Sequence, residues 1–273
     1  MARAPAPARV VPAYGGAAAP LQRLLGEPLA WRLLSVALVC AIWEIAGRIP
    51  VSPAFPTFLE TMAALAGMAL NGSLGKAYAA TLQPLVIGVV ISAVLGIVLG
   101  VAMGLWRSAE WFGAPVFVVM QAAPMAALIP LITFVYGIGL TAKVLAVCVL
   151  AMPVVVLNSY KAIRNASPSL IQMCRAFLGS RLQEVFKVIL PDASPVIFAG
   201  LRLGVAAGFI GIVLAELLIT PTGIGDLITY HRAVADYAEM YAAILSIILF
   251  AAITVSMLEK VEVAFFRPER KAG

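Results

Sequence analysis

The sequence predicts an all-α membrane protein, a polytopic bundle of about six transmembrane helices with a helix-turn-helix loop on one side of the membrane. Of its 273 residues, 63% are hydrophobic and only 12% are charged, whereas a soluble domain is typically about half apolar and a quarter charged. The apolar residues form runs long enough to cross a bilayer. One basic, polar stretch, residues 165–191, separates two of these runs in the C-terminal half.

The two ends of the chain differ from this apolar body. Residues 1–30 begin with an alanine- and proline-rich stretch and lack the apolar run of a signal-peptide core, so they are predicted to form a disordered N-terminal tail. The transmembrane domain is predicted over 31–265, and 266–273 form a short C-terminal tail. The net charge of +6 does not indicate nucleic-acid binding, because in a membrane protein the location of lysine and arginine matters more than their sum.

Six apolar segments are predicted to cross the bilayer, and a further amphipathic helix is predicted at 57–70. In the second and fifth spans, small residues recur at every fourth position, a spacing that lets another helix approach closely. Both spans are therefore predicted to pack tightly against neighbouring helices. The predicted spans are 33–47, 85–105, 115–136, 142–160, 196–219 and 241–258. The small residues are Gly88, Ser92, Gly96, Gly100 and Gly104 in the second span, and Gly200, Gly204 and Gly208 in the fifth.

The third predicted span contains Gln121, Pro124 and Pro130. Proline bends a helix and frees a backbone carbonyl from its intrahelical donor, so this span is predicted to be bent. A bent and partly polar span can line a pathway through the membrane, but bends also serve packing, and the sequence leaves both interpretations open. A single carboxylate, Glu216, lies near the far end of the fifth span.

The polar stretch in the C-terminal half carries the signals of two short helices. Ser167 is predicted to cap the first helix, with Pro168 at its first position. Gly179 suits the turn where that helix stops. Ser180 and Gln183 form a capping-box pair that starts the second helix.

Each helix of this loop has an apolar stripe, and Pro191 is predicted to end the second helix. Arg181, Glu184 and Lys187 are predicted to lie mostly off the stripes. Two helices of this kind either meet a soluble partner at the membrane surface or lie on lipid headgroups, and periodicity leaves both interpretations open. The stripes comprise Leu170, Met173, Cys174 and Phe177 in the first helix, and Leu182, Val185, Phe186 and Ile189 in the second.

The distribution of basic residues predicts which ends of the spans face the cytoplasm. With six spans, both termini and the 165–191 loop fall on one side, which collects fourteen lysine and arginine residues against four on the other. Basic residues are enriched in cytoplasmic segments, so both termini are predicted to be cytoplasmic. The four residues on the opposite side are Arg48, Lys76, Lys143 and Arg232; Arg202, within the fifth span, is counted on neither side.

The sequence lacks the motifs of an enzyme or of a cofactor site. It contains no GxxxxGK[ST] phosphate loop, no HExxH and no GxSxG, and His231 is its only histidine, which excludes a histidine metal cluster. The three cysteines lack metal-ligand spacing and do not indicate a disulfide framework. Few carboxylates fall within the spans, which argues against a proton-coupled carrier. A transporter of this composition would need a separate ATP-hydrolysing partner, and the cytoplasmic loop is its natural docking surface.

Several short motifs give the chain a resemblance to a known family. In the loop, Gln172-Met173-Cys174 stands where that family has Glu-Ala-Ala, Leu178 stands at its glycine, and Val188 precedes the Leu-Pro pair at 190–191. Further motifs are Pro124 with LIP at 128–130, YGIG at 136–139, LNSY at 157–160, IFAGLRLG at 197–204, and AEL followed by GIGDLI at 223–228. Over roughly 51–265, the chain resembles the permease subunit of ABC importers, in the group that serves nitrate, taurine, aliphatic sulfonates and thiamine-precursor pyrimidines.

The resemblance implies an inner-membrane subunit that is not itself an enzyme and needs no cofactor. With a second permease copy or a related subunit, it would form the path of a small solute delivered by a periplasmic binding protein, driven by two copies of an ABC ATPase. A secondary carrier driven by an ion gradient is the alternative, and a structural membrane protein is a third interpretation. The candidates implied for the translocation path are Gln121, Pro124 and Glu216. The candidates implied for ATPase coupling are Gln172, Met173, Cys174, Phe177, Leu178, Gly179, Val188, Leu190 and Pro191.

Overall fold

The computed structural model of the protein describes residues 28–49, 52, 54–124, 127–219 and 221–266. Every regular element within these ranges is a helix. The helices are α1 (Pro28–Arg48), α2 (Phe58–Leu70), α3 (Ser73–Leu105), α4 (Arg107–Ala122), α5 (Leu128–Tyr136), α6 (Leu140–Arg164), α7 (Pro168–Ala176), α8 (Arg181–Leu218), α9 (Ile224–Ala233) and α10 (Tyr237–Phe266). Five of them, α1, α3, α6, α8 and α10, are each long and apolar enough to cross a membrane, which confirms the predicted all-α polytopic fold. Most of the N-terminal tail and nearly all of the C-terminal tail predicted from the sequence lie outside the described residues.

The chain divides into two compact units, 1–59 and 60–273. In the first unit, the carboxylate of Glu44 accepts hydrogen bonds from Arg48, one turn further along α1, and from the backbone amide of Leu59. A carboxylate in an apolar helix is costly unless it is partnered. These two donors satisfy Glu44 near the end of α1.

In the second unit, α3 and α6 lie side by side and run in the same direction. Gly88 of α3 contacts Val147 of α6, and Gly104 contacts Ile163, so the paired positions advance together along both helices. A Cβ on either glycine would lie within 3 Å of its neighbour's side chain. The predicted close packing of the small-residue face of the second span is confirmed.

Helix α8 packs against the same helix, α6, in the opposite direction. Gly200 lies against Asn158, whereas Gly211 lies against Ala146. The residue numbers of the contacts therefore decrease along α6 as they increase along α8. The small-residue face predicted for the fifth span is therefore also a close helix contact. Among the described spans, α6 is the most buried, which follows from its contacts with both glycine-rich helices.

The third predicted span, 115–136, is not one continuous helix. Helix α4 ends at Ala122 and α5 begins at Leu128. Between them the amide of Ala127 donates to the carbonyl of Pro124 at 2.9 Å. The predicted bend is therefore a complete interruption, because a residue that precedes proline disfavours the helical conformation and Ala123, which precedes Pro124, is extended.

Together, α4 and α5 still cover the height of the bundle. At the start of α4, Glu110 accepts a hydrogen bond from Tyr160, near the end of α6, at 2.6 Å. In α5, Ile129 packs with Ala146, near the start of α6. The α4–α5 pair thus returns the chain from one end of α6 to the other, as the parallel arrangement of α3 and α6 requires.

The second loop helix and the fifth span form one continuous helix, α8, so the prediction that Pro191 ends a helix is wrong. Glu184–Ile189 are wound as a π-helix, and the amide of Leu190 donates to the carbonyl of Val185, five residues back. Proline has no amide hydrogen, and its ring crowds the carbonyl four residues earlier. The wider π turn accommodates Pro191 without ending the helix.

Candidate functional site

The candidate coupling residues lie on the 165–191 loop, which comprises α7 and the first turns of α8. Pro168 occupies the first turn of α7, as predicted. Ser167 stands at the N-cap position, but its hydroxyl does not cap the helix and lies 2.9 Å from that of Ser169. Instead, the amide of Ser167 donates to the carboxylate of Asp192 at 2.8 Å. The start of the loop is therefore attached to α8.

Helix α7 ends in a Schellman motif with Leu178 in the left-handed conformation. The amide of Gly179 donates to the carbonyl of Cys174 at 2.9 Å, and the amide of Leu178 donates to that of Arg175 at 3.0 Å, the two bonds that define this motif. Leu178 has a φ of 57°, where glycine is usual because a side chain costs about 1–2 kcal/mol. Gly179 lies in the turn as predicted, but its role is close approach, because a Cβ there would lie within 3 Å of the Cys174 sulfur.

Helix α8 begins with the predicted capping box. The hydroxyl of Ser180 accepts a hydrogen bond from the amide of Gln183 at 3.3 Å, and the side-chain oxygen of Gln183 accepts one from the amide of Ser180 at 2.9 Å. Each side chain satisfies an amide that has no intrahelical acceptor. The capping box is therefore confirmed, and it fixes where the turn ends.

Glu184 joins the two loop helices, although the sequence pattern predicts it off the packed face. Its side chain is buried, and Arg175 of α7 donates two hydrogen bonds of 2.9 Å to its two carboxylate oxygens. Arg181 adds a third contact of 3.2 Å. Bidentate arginine–carboxylate pairs fix geometry as well as adding energy. The hydrogen bonds between Arg175 and Glu184 raise the pKa of Arg175 further above its usual range and lower the pKa of Glu184. We call this pair the Arg175–Glu184 clamp.

The apolar side chains of the loop divide into a packed set and an exposed set. Ile171, Val185 and Ile189 pack against the ends of α3 and α6. Phe177 and Leu178, which we call the apolar tip, are 82% and 93% exposed. The exposed set also includes Leu170, Met173, Leu182 and Phe186. A braced loop that leaves its largest apolar side chains unpacked is typical of an interaction surface.

The remaining candidate coupling residues lie around this tip or where the loop joins α8. Gln172, Met173 and Pro191 are exposed, whereas Cys174, Gly179, Val188 and Leu190 are half-buried.

Glu216 lies at the opposite end of the bundle from the loop, and its side chain is buried. Lys143 Nζ lies 2.8 Å from Glu216 Oε1, and the Thr81 hydroxyl lies 3.0 and 2.9 Å from the two carboxylate oxygens. Lys143 also donates to the carbonyl and hydroxyl oxygens of Thr222. A buried ion pair needs such additional hydrogen bonds to offset its desolvation. This Glu216 cluster joins α3, α6 and α8.

The GIG segment at 223–225 allows the α8–α9 connection to close over this carboxylate. The amide of Gly225 donates to Glu216 Oε2 at 3.1 Å, and the amide of Ile224 donates to the Thr81 hydroxyl at 2.9 Å. A Cβ at Gly223 or Gly225 would lie within 3 Å of Glu216. The AEL and GIGDLI motifs therefore form a single site. Helix α9 begins at Ile224 and lies between the fifth and sixth predicted spans.

The sequence indicates Glu216 as a candidate but reveals its partners only in part. Lys143 and Glu216 are two opposite charges at the ends of different apolar spans, and such charges are costly unless they pair. That signal could have suggested the ion pair. Thr81 carries no comparable signal, because its role depends on which helix lies beside α8.

The other two candidates for the path are exposed, unlike Glu216. Gln121 lies at the end of α4, and Pro124 lies in the interruption before α5. Glu216 faces its own hydrogen-bond donors, so contact between its carboxylate and a solute would require the cluster to open.

Three potential ligand side chains meet at the start of α10. His231, Asp236 and Glu239 bring ligand atoms within 4.8 Å of one another. His231 Nδ1 lies 3.8 Å from Asp236 Oδ2, and Asp236 is exposed. Exposed acidic side chains commonly lie near a histidine without holding a metal ion. These side chains carry no metal assignment.

Comparison with known families covers both groups of candidate residues. Residues 92–262 match the family described as binding-protein-dependent transport system inner membrane component. The chain belongs to this family. The predicted identity of the chain, a permease subunit of an ABC importer, is thereby confirmed, and the matched region includes the coupling loop and all of the Glu216 cluster except Thr81.

Two relatives and one solved structure extend over most of the permease. It is 36% identical over 229 residues to the riboflavin transport system permease protein RibX of Chloroflexus aurantiacus, covering 82% of this chain and 83% of that protein. It is 27% identical over 232 residues to the putative aliphatic sulfonates transport permease protein SsuC of Bacillus subtilis, covering 84% of each. A structure of the inward-facing MetNI methionine ABC transporter matches with a TM-score of 0.59 at 18% identity, covering 70% of this chain and 95% of that chain. The permease and that chain share a fold.

Proposed function

We propose that this permease pairs with a second permease copy in the inner membrane and encloses the path of a small solute delivered by a periplasmic binding protein. Its loop between α6 and α8 docks into a separate ABC ATPase, present in two copies, and couples ATP hydrolysis to opening of the path. Both termini and the loop are cytoplasmic. The relatives are named for different solutes, riboflavin and aliphatic sulfonates, and the ion-gradient carrier receives no support from them.

The exposed apolar tip on a braced loop is the observation that carries the coupling role. The Arg175–Glu184 clamp, the capping box and the bond between Ser167 and Asp192 hold the tip in place relative to α8. Helix α8 is continuous for 38 residues, about 57 Å at a rise of about 1.5 Å per residue. A displacement of the tip would therefore be transmitted along α8 to the Glu216 cluster at its other end.

The interruption between α4 and α5 supports a second subunit and a shared path. Non-helical backbone at membrane depth is tolerated only where it is buried in protein or lines a cavity. In this chain Pro124 is exposed at that interruption, and Gln121 adds an exposed amide beside it. A second permease copy would cover this backbone or enclose it in the path, which makes Gln121 and Pro124 our candidates for contact with solute.

The basic residues support the cytoplasmic placement of the loop. At the loop end of the bundle, the described helices carry seven basic residues: Arg107, Lys161, Arg164, Arg175, Arg181, Lys187 and Lys260. At the other end they carry Lys76, Lys143 and Arg232, of which Lys143 is paired with Glu216. Because basic residues are enriched on the cytoplasmic side, the loop end is the cytoplasmic end.

The decisive experiment measures assembly and coupling after truncation of the apolar tip. The permease is co-purified with its ABC ATPase partner, and solute-stimulated ATP hydrolysis is measured in liposomes. Large buried interface side chains cost about 2 kcal/mol or more when truncated, so Phe177→Ala is expected to weaken ATPase association at least about tenfold.

A matched control is Phe134→Ala, which truncates another highly exposed phenylalanine, on α5 far from the loop. It should leave ATPase association unchanged. If the double variant Phe177→Ala/Leu178→Ala still associates and still couples hydrolysis to uptake, the loop is not the coupling element.

A further inference from the structure

An apolar groove lies between the end of α3 and the start of α8. It has a volume of about 670 Å³ and is lined by Val98 and Ala102 on α3, by Trp106 directly after α3, and by Leu182 and Phe186 on α8. Among the described residues that line it, Arg181 is the only charged one. Val98, Trp106 and Phe186 are each at least 60% exposed, so the groove opens on the outer surface of this chain.

The position of the groove places its opening in the bilayer. Val98 and Ala102 belong to the last turns of a helix that crosses the membrane, and Trp106 follows at the level where tryptophan commonly marks the membrane interface. No water is available in the hydrocarbon region to fill a space of this kind. An apolar occupant is therefore required, and the acyl chains of the surrounding lipid supply one.

Among the described residues, the mouth of the groove carries more positive than negative charge. Arg175 and Arg181 both contact Glu184, but Arg175 alone satisfies both carboxylate oxygens with its two hydrogen bonds. Two guanidinium groups thus face one carboxylate. The Arg181 side chain is 83% exposed, so its remaining donors are available to an anion at the membrane surface.

We propose that this groove binds one anionic phospholipid of the cytoplasmic leaflet, with an acyl chain against Val98, Ala102 and Phe186 and the phosphate at Arg181. Arginine is well suited to phosphate because its planar donors match the phosphate oxygens. Since one wall of the groove is the second loop helix, the lipid also braces the coupling loop against α3. The proposal extends the proposed function but requires only that the loop lies at the membrane surface.

The test uses Trp106 as a reporter inside the groove. The full-length permease with Trp31, Trp43 and Trp111 changed to phenylalanine is placed in phosphatidylcholine vesicles that contain phosphatidylglycerol as a minor component. Bromine atoms, which quench tryptophan fluorescence, are carried on the chains of one lipid or the other. Phosphatidylglycerol is expected to be enriched about fivefold at Trp106, the factor equivalent to about 1 kcal/mol for one basic side chain near an anionic surface.

Two variants separate the charge from the apolar cavity. Arg181→Gln should abolish the preference for phosphatidylglycerol, whereas Arg181→Lys should retain most of it, and both leave Glu184 bound to Arg175. Ala102→Phe should fill the groove and lower quenching by both lipids. A single tryptophan introduced at Ile253, which is exposed on α10, should show no lipid preference.

Equal quenching of Trp106 by the two lipids would overturn the proposal, as would a preference that survives Arg181→Gln. Weak quenching by both lipids would also overturn it, because the groove would then be covered by a second permease copy or another subunit. The readout involves neither the ATPase nor uptake. Failure of the lipid proposal can therefore be distinguished from failure of the proposed coupling role.

Discussion

Lys143 and Glu216, which lie 73 residues apart in the sequence, form an ion pair with an Nζ–Oε1 distance of 2.8 Å and side-chain exposures of 6% and 0%. The pair lies where three helices meet, and the GIG segment closes over it. Glu216 is therefore a structural centre at the end of the bundle opposite the coupling loop.

Removing one partner of this pair should destabilise the permease strongly. Lys143→Met leaves a buried carboxylate without its cation, a change that typically costs about 3–5 kcal/mol. The expected result is a large fall in the thermal midpoint in mild detergent, measured by tryptophan fluorescence. The double variant Lys143→Met/Glu216→Gln should recover part of this loss, because no charge is then left unpaired. If Lys143→Met has the same thermal midpoint as the parent permease, this account is contradicted.

The contact between α3 and α6 should not tolerate even one added methyl group. A Cβ at Gly96 would lie within 3 Å of Val155, and overpacking of this kind costs about 1–3 kcal/mol. Gly96→Ala is therefore expected to lower the yield and thermal midpoint of the folded permease. Gly67→Ala on α2 is the matched control, since a Cβ there meets nothing within 4 Å. If both variants behave alike, Gly96 does not lie at a close helix contact.

The turn at Leu178 should become more stable when glycine replaces leucine. Leu178→Gly removes the cost of a left-handed side chain, about 1 kcal/mol, and hydrogen exchange of the Gly179 amide should slow. Leu178→Val should have the opposite effect, because a β-branched side chain is least tolerated at positive φ. Equal exchange rates in the two variants would show that backbone strain at this position does not limit the turn.

The Arg175–Glu184 clamp should control the rigidity of the loop and not the insertion of the protein. Glu184→Gln removes the charge that holds Arg175 and Arg181, so amides of α7 are expected to exchange faster and solute-stimulated ATP hydrolysis to fall. Glu259→Gln, which removes an exposed carboxylate from α10, is the control and should leave α7 exchange unchanged. Unaltered exchange in Glu184→Gln would mean that packing alone holds the loop.

The proposed orientation can be tested with single cysteines in a variant lacking Cys40, Cys148 and Cys174. Met173→Cys on α7 and Ala233→Cys at the end of α9 both replace exposed side chains. An impermeant thiol reagent added to spheroplasts should label the cysteine at 233 and not the one at 173. The opposite pattern would reverse the topology. Gly179 is unsuitable as a labelling site because any side chain there would collide with residue 174.

Much of the fold follows from properties that are local in the sequence. The length of the apolar runs predicts the long spans, and the four-residue spacing of Gly88 through Gly104 predicts a close helix contact, because both depend only on helix geometry. The capping box of Ser180 and Gln183 is equally local, since its two hydrogen bonds join residues three positions apart. These features can be predicted without knowing which helices are neighbours, and the structure confirms them.

Other features depend on which parts of the chain meet, and the tertiary structure alone decided them. Helical periodicity places Glu184 off the packed face, but the turn at Leu178 folds α7 back so that Arg175 reaches it. Lys143 and Glu216 become partners only because α6 and α8 run antiparallel, which brings the start of α6 beside the end of α8. A buried charge is stabilised by whatever group the fold places beside it, and residues distant in the sequence do not reveal that neighbour in advance.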